Sequence, residues 1–143
     1  VAYNSGYDIK RFNFKADLAF GEEGEELIRQ FVQTICDGDI EVKTDRYRNG
    51  RMVIETMQSP RNAGWKPSGL SVTKARWWVY VFNIEGSFVI VDVDRLKRFI
   101  EKQPLRFAPS KLRSFATHSD NPAKGWLLEA PEVIDLLVNP QYD

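Results

Sequence analysis

The chain has 143 residues and no formal net charge at neutral pH, a length that suits one domain (residues 1–143) with a single core and a charge that offers no bulk polycation for nucleic acid. Hydrophobic residues make up 43% and aromatic residues 13%, as in a folded globular chain and not a disordered tail. A single cysteine, Cys36, and a single histidine, His118, exclude an internal disulfide and a zinc site built from several thiolates and imidazoles.

In chain order, residues near Asp8 to Phe14 alternate apolar and polar and predict a short leading strand. From Asp17 to Cys36 the period becomes helical. Leu27, Ile28, Phe31, Val32 and Ile35 form one stripe, with Asp17 as a candidate N-cap. Glu25 borders that stripe and faces the expected sheet, whereas Glu23 and Glu26 read as acids that offset the helix dipole. Asp37-Gly38 ends the helix.

The next segment carries the chemistry. In Asp39-Ile-Glu-Val-Lys-Thr-Asp45, strand alternation places Asp39, Glu41, Lys43 and Asp45 on one face and Ile40, Val42 and Thr44 on the other. Clustered carboxylates beside a lysine suit a divalent-metal phosphodiesterase, with acidic oxygens for Mg²⁺ and an ammonium to steady a water or the phosphate. A solvated ribbon face shows the same alternation. Glu55 separates the two readings: its same-face neighbours Val53 and Met57 are apolar, and a carboxylate in such a row is costly unless paired or metal-bound. A hairpin is expected here, with a three-residue Arg48-Asn49-Gly50 loop and a bulge. That register sets Glu55 opposite Lys43, whereas a two-residue turn would set it opposite Thr44.

Residues Ser59 to Lys74, with Pro60, Gly64, Pro67 and Gly69, read as an ordered loop ending in a short helical turn from Ser71 to Ala75. Its Arg61, Trp65, Lys66 and Lys74 suit contact with phosphates and bases. Arg76 to Asn83 is a nearly continuous aromatic and β-branched run and predicts a strand covered on both faces. Ser87 to Val93 is a further strand, and Asp94 caps a helix running to about Lys102. Gly125-Trp-Leu-Leu predicts a short edge strand, followed by a terminal helix starting at Ala130 or Pro131. Charge is mostly acidic from Asp17 to Asp45 and mostly basic from Arg95 to Arg113, including Lys97. A metal site beside a phosphate-binding surface gives this split, and so does a helix with a solvated basic face.

The order of helix with glutamate, E-x-K segment, loop, central strand, further strand and helix resembles the PD-(D/E)XK, or restriction-endonuclease-like, nuclease superfamily, and within it small phage-type proteins related to Holliday junction resolvases. The residues that carry the likeness are Gly21-Glu-Glu-Gly-Glu25, Ile40-Glu-Val-Lys-Thr-Asp-Arg46, Val53-Ile-Glu55, Lys66-Pro-Ser-Gly-Leu70, Thr73-Lys-Ala75, Trp77-Trp-Val-Tyr-Val81 and Asp120-Asn-Pro-Ala-Lys-Gly-Trp126. The resemblance implies an α/β fold with a central mixed β-sheet flanked by helices, and a Mg²⁺-dependent DNA endonuclease in which Mn²⁺ substitutes. Glu25 matches the first-helix glutamate of the resolvases, and Glu41 and Lys43 match E-x-K. The family's aspartate normally lies on a separate preceding strand, which this chain has no room for. Either Asp39 supplies that ligand, or Glu41 takes the aspartate's place with Glu55 as the acid of the next strand. Asp45 is a further candidate ligand.

On this reading Glu25, Glu41, Lys43 and Glu55 form the catalytic set, and Arg61, Lys66, Lys74, Arg76 and Lys97 position the DNA backbone. Branched DNA has two-fold character, so a homodimer is the expected form. No organic cofactor and no membrane partner are expected, since the longest apolar runs are too short for a span. The lone cysteine and the lack of a signal-like start fit a cytoplasmic location, that of a host cell for a phage protein.

Overall fold

The computed structural model describes residues 22, 25, 26, 28–30, 32, 33, 37–45, 49–83 and 87–143. The expected leading strand, the Asp17 cap and Cys36 lie outside these residues. Residues 22, 25, 26, 28–30, 32 and 33 are helical, with Val32 fully buried. The chain is α/β, and the described residues form two sheets instead of one. The first is mixed, with strand order β1 (Ile40–Asp45), β4 (Trp77–Phe82) and β5 (Ser87–Asp92). The second is antiparallel, with strand order β3 (Lys66–Pro67), β2 (Met52–Gln58), β7 (Ala123–Leu128) and β6 (Arg113–Phe115). Two helices, α1 (Val93–Glu101) and α2 (Ala130–Val138), complete the fold.

Among the described residues the expected hairpin pairing is absent, and Arg48 of its loop lies outside them. Strand β1 pairs in parallel with β4, setting Lys43 against Tyr80 and not against Glu55. Strand β2 pairs with β3 and β7, where Glu55 lies opposite Gly125. Burial accounts for the difference. Ile40 and Val42 of β1 pack with Val79 and Val81 of β4 and with Val32 of the leading helix, a seam that parallel pairing provides and a local hairpin would not. The 31 residues from Arg46 to Arg76 supply the long crossover that parallel strands require.

A larger core lies between the sheets and helices. Met52, Ile54 and Leu128 of one sheet meet Trp78, Tyr80, Phe82 and Val91 of the other, closed by Leu96 and Phe99 of α1 and by Val133 and Leu136 of α2. Strand β4 therefore has both faces covered, as its sequence predicts. Strand β7 lies inside its sheet, because Arg113–Phe115 pairs along its outer side; the expected edge strand is an interior one. Helix α1 is capped by Asp92, whose carboxylate accepts from the N–H groups of Asp94 and Arg95, so the cap lies two residues before the one expected. The expected Ser71–Ala75 turn is instead a 3₁₀ turn over Gly69–Ser71.

Most of the basic segment is structural. The Arg95 guanidinium donates to the Leu136 carbonyl at 2.6 Å and pairs with the Asp143 carboxylate, and Arg98 donates to the Tyr142 carbonyl at 2.8 Å. These cations bind the end of the chain to α1. Arg106 donates to both Glu132 carboxylate oxygens, at 2.8 and 3.0 Å, and to the Leu127 carbonyl at 2.7 Å, joining β7 to the start of α2. Burial opposes ionisation of Glu132, but the Arg106 hydrogen bond, the Glu129 N–H and the Arg106 charge together hold its carboxyl below the ordinary value. Among the described residues, no helix is long and apolar enough to cross a membrane.

A charge-assisted, bidentate pair that is about one-third exposed contributes about 1–2 kcal/mol once solvent screening is allowed for. Arg106→Ala is expected to lower unfolding free energy by about that amount near neutral pH. Because the folded Glu132 pKa is depressed, this contribution is complete above the ordinary glutamate value of 4.5 and disappears as pH falls through the lowered value. Denaturant melts of both proteins from neutral to acid pH check that the difference narrows to what the Arg106–Leu127 carbonyl bond contributes.

Candidate active site

The alternation of β1 directs Ile40 and Val42 into the smaller core and leaves Glu41, Lys43 and Asp45 only partly buried on the other face. Glu55 arrives from the second sheet. The Lys43 Nζ lies 3.2 Å from Glu41 Oε1 and 3.9 Å from Glu55 Oε2. The three side chains are 30%, 34% and 20% exposed respectively, within reach of both solvent and a substrate. An ion pair this accessible contributes about 0–1 kcal/mol to stability, too little to explain why two sheets meet at it.

Glu25 and Asp45 flank this cluster. The Thr44 hydroxyl donates to Glu25 Oε1 at 3.5 Å. Burial raises the Glu25 pKa, opposed by the charge of Lys43 and by the Thr44 hydrogen bond. The lysine field therefore reaches the helix carboxylate as well as the two strand carboxylates. Tyr80 donates its hydroxyl to Asp45 Oδ2 at 3.0 Å. Burial, and then the Asp45 charge, push the tyrosine pKa far up, keeping the phenol a neutral donor. Asp39 is exposed at the entry to β1, where its carbonyl oxygen accepts from the Arg76 and Trp77 N–H groups.

Two glycines position Glu55, and the pattern reading assigned them no role. A Cβ on Gly69 would lie 2.2 Å from the Glu55 carbonyl oxygen, and one on Gly125 would lie 2.2 Å from the Ile54 carbonyl oxygen. Gly69 also has φ +50°, a left-handed conformation that costs other residues about 1 kcal/mol or more. The β2–β7 register shifts between Glu55 and Met57. The β2 backbone is thus approached from both neighbours at the point where it presents its carboxylate. The available signal was Gly125 inside a predicted strand; Gly69, in an expected loop, carried none.

Of the expected phosphate contacts, Arg61 lies in a 3₁₀ turn after β2, Lys66 lies on β3, and Lys74 and Arg76 precede β4. All four are exposed, and among the described residues none of them forms an ion pair. The Arg76 guanidinium lies 5.0 Å above the Trp77 ring. Lys97, exposed on α1, borders a separate groove with Leu70, Ile100 and Trp126.

The donors fit Mg²⁺ in kind. They are hard carboxylate oxygens in a partly wet setting, and Mg²⁺ commonly takes one or two carboxylates from the protein and its other ligands from water and substrate phosphate. Among the described residues no group of three or more His, Cys, Asp or Glu side chains is assembled for a metal, so the site offers two carboxylates around one lysine and not a closed cage. No family model, no curated protein and no solved structure matches this chain.

Gly69→Ala is expected to destabilise the fold by about 2–4 kcal/mol, since the new methyl meets a backbone carbonyl that has no flexible escape. Gly64→Ala, with φ +120° but open space around it, is expected to cost about 1 kcal/mol. Equal losses in denaturant unfolding would contradict the close-approach account.

Proposed function

We propose that the chain is a Mg²⁺-dependent endonuclease that hydrolyses phosphodiester bonds in DNA, with the active-site logic of the restriction-endonuclease-like superfamily. The supporting observation is the ammonium of Lys43 within 4 Å of carboxylates from two different sheets. In this reading Glu41 and Glu55 hold the cation, and Glu25 adds charge from the leading helix. Bound Mg²⁺ would polarise the attacked phosphate and make a neighbouring water more acidic.

The chain's own groups do the remainder. Lys43 orients the attacking water and offsets charge that develops on the phosphoryl oxygens. The water oxygen bonds to phosphorus and releases a proton to solvent as one ester P–O bond breaks, and the departing alkoxide takes up a proton from solvent. Arg61, Lys66, Lys74 and Arg76, exposed and without ion pairs among the described residues, supply backbone contacts that carry no sequence information. This favours a structure-selective or weakly sequence-selective cutter. A two-fold homodimer would present two such sites to a branched substrate.

The same ion-pair distances also suit a non-catalytic DNA-binding module in which Lys43 only neutralises two carboxylates. Cleavage separates the two readings. Four-way junction, flap, single-stranded and linear DNA, each incubated with Mg²⁺, with Mn²⁺ or with chelator, should show metal-dependent cutting of at least one substrate. Lys43→Ala and Glu55→Gln should each lower that rate by about 10²–10³-fold, while DNA affinity persists. Absence of metal-dependent cleavage, or full cleavage by Lys43→Ala, would overturn the proposal.

A further inference from the structure

A cavity of about 640 Å³ opens beside the lysine–carboxylate cluster, shares Glu55 with it and is also lined by Thr44 and Asp45 of β1. That volume lies within the range of small-molecule sites. We propose that it receives one unpaired nucleobase of the DNA strand whose neighbouring phosphate lies at Lys43. This assignment rests on the nuclease reading and specifies its substrate as DNA with an unstacked nucleotide next to the cut.

The lining chemistry selects the base over other parts of DNA. Asp45 borders the cavity with Tyr80 bonded to its Oδ2, and a carboxylate repels a phosphate but accepts hydrogen bonds from the amino and imino groups of bases. Asn49 also lines it, and its Oδ1 accepts from the Arg51 N–H at 3.0 Å, which leaves the amide NH₂ as the group able to donate to a ring nitrogen or carbonyl. Among the described lining residues the one guanidinium is that of Arg51, and it donates to Glu129 at 2.8 Å.

Another part of the lining is apolar. Phe115, Ala123 and Leu127 come from the β6–β7 pair. Phe115 is half-buried and, among the described residues, has no aromatic partner. A half-exposed ring lining a cavity with a few polar groups is the arrangement on which unpaired bases stack. Next to it Ala116 holds φ +52° and accepts from the Ser119 N–H at 2.9 Å. A base paired within a duplex cannot enter without extrusion, which costs a few kcal/mol. Single strands, bulges and branch points avoid that cost.

The test measures anisotropy of the full chain with Ca²⁺ in place of Mg²⁺, using a labelled 12-nucleotide strand, its blunt duplex and the duplex with a one-nucleotide bulge. The strand and the bulged duplex are expected to bind about tenfold more tightly than the blunt duplex, consistent with the stacking contribution of one base. Phe115→Ala should collapse that preference and Phe115→Tyr should restore it. Ala123→Leu, which narrows the cavity with Phe115 in place, should also reduce it. Equal binding of all three DNAs, or a preference that survives both Phe115→Ala and Ala123→Leu, overturns the cavity assignment. Lys43-dependent cleavage without any such preference leaves the nuclease reading standing and removes the cavity. A Phe115-dependent preference in a protein that cuts nothing in Mg²⁺ or Mn²⁺ does the reverse.

Discussion

The arrangement depends on the apolar packing that brings two sheets together and places one ammonium group where they meet. Lys43 belongs to a strand held by β4, and Glu55 belongs to a strand held by β7. No hydrogen-bonded ladder joins those strands among the described pairings. Packing sets their relation: Met52 and Ile54 go into the common core against Trp78 and Tyr80, and the partly exposed residues of β2 follow from that burial. At about 25 cal/mol per Å² of apolar surface, burying such side chains outweighs an exposed ion pair several-fold. The core thus sets the charges in position, and the charges contribute little to the core.

Such an origin suits a chemical site. Groups held by a rigid surrounding need no reorganisation when charge develops on a substrate. Gly69 and Gly125 extend the same principle to the backbone, since both neighbours approach the Glu55 segment at distances that only a missing Cβ allows. Tyr80 does so at Asp45, where a buried phenol fixes the direction of a carboxylate on the border of the adjoining cavity.

Much of this was legible in the sequence, for reasons that differ from residue to residue. Period-two alternation placed Glu41 and Lys43 on one face; the apolar neighbours of Glu55 suggested a buried row, but β2 buries Met52, Ile54 and Thr56 and leaves Val53, Glu55 and Met57 only partly buried. The route joining them was misread. Asn49-Gly50 is a strong local turn signal, but the apolar faces of β1 and β4 outcompete it, and nothing local to residues 39–55 reports a strand that begins at Trp77. The basic run from Arg95 to Arg106 left two readings open, and neither named the contacts that Arg95, Arg98 and Arg106 make. Its partners are carbonyls and carboxylates near the chain's end, and a carbonyl has no sequence signature. Arg113–Phe115 lacks the β-branched character of a strand, so its pairing, and with it the interior position of β7, was not foreseeable.

The central claim is that a divalent cation binds between Glu41 and Glu55. The most direct measurement is paramagnetic broadening by substoichiometric Mn²⁺ in amide NMR spectra of the isotopically labelled chain. The account predicts that signals from residues 41–45 and 53–56 broaden first, and that Mg²⁺ in excess reverses the effect. Broadening confined to other acidic surfaces, such as Asp92 and Asp94 at the start of α1, with those two segments unaffected, would contradict it.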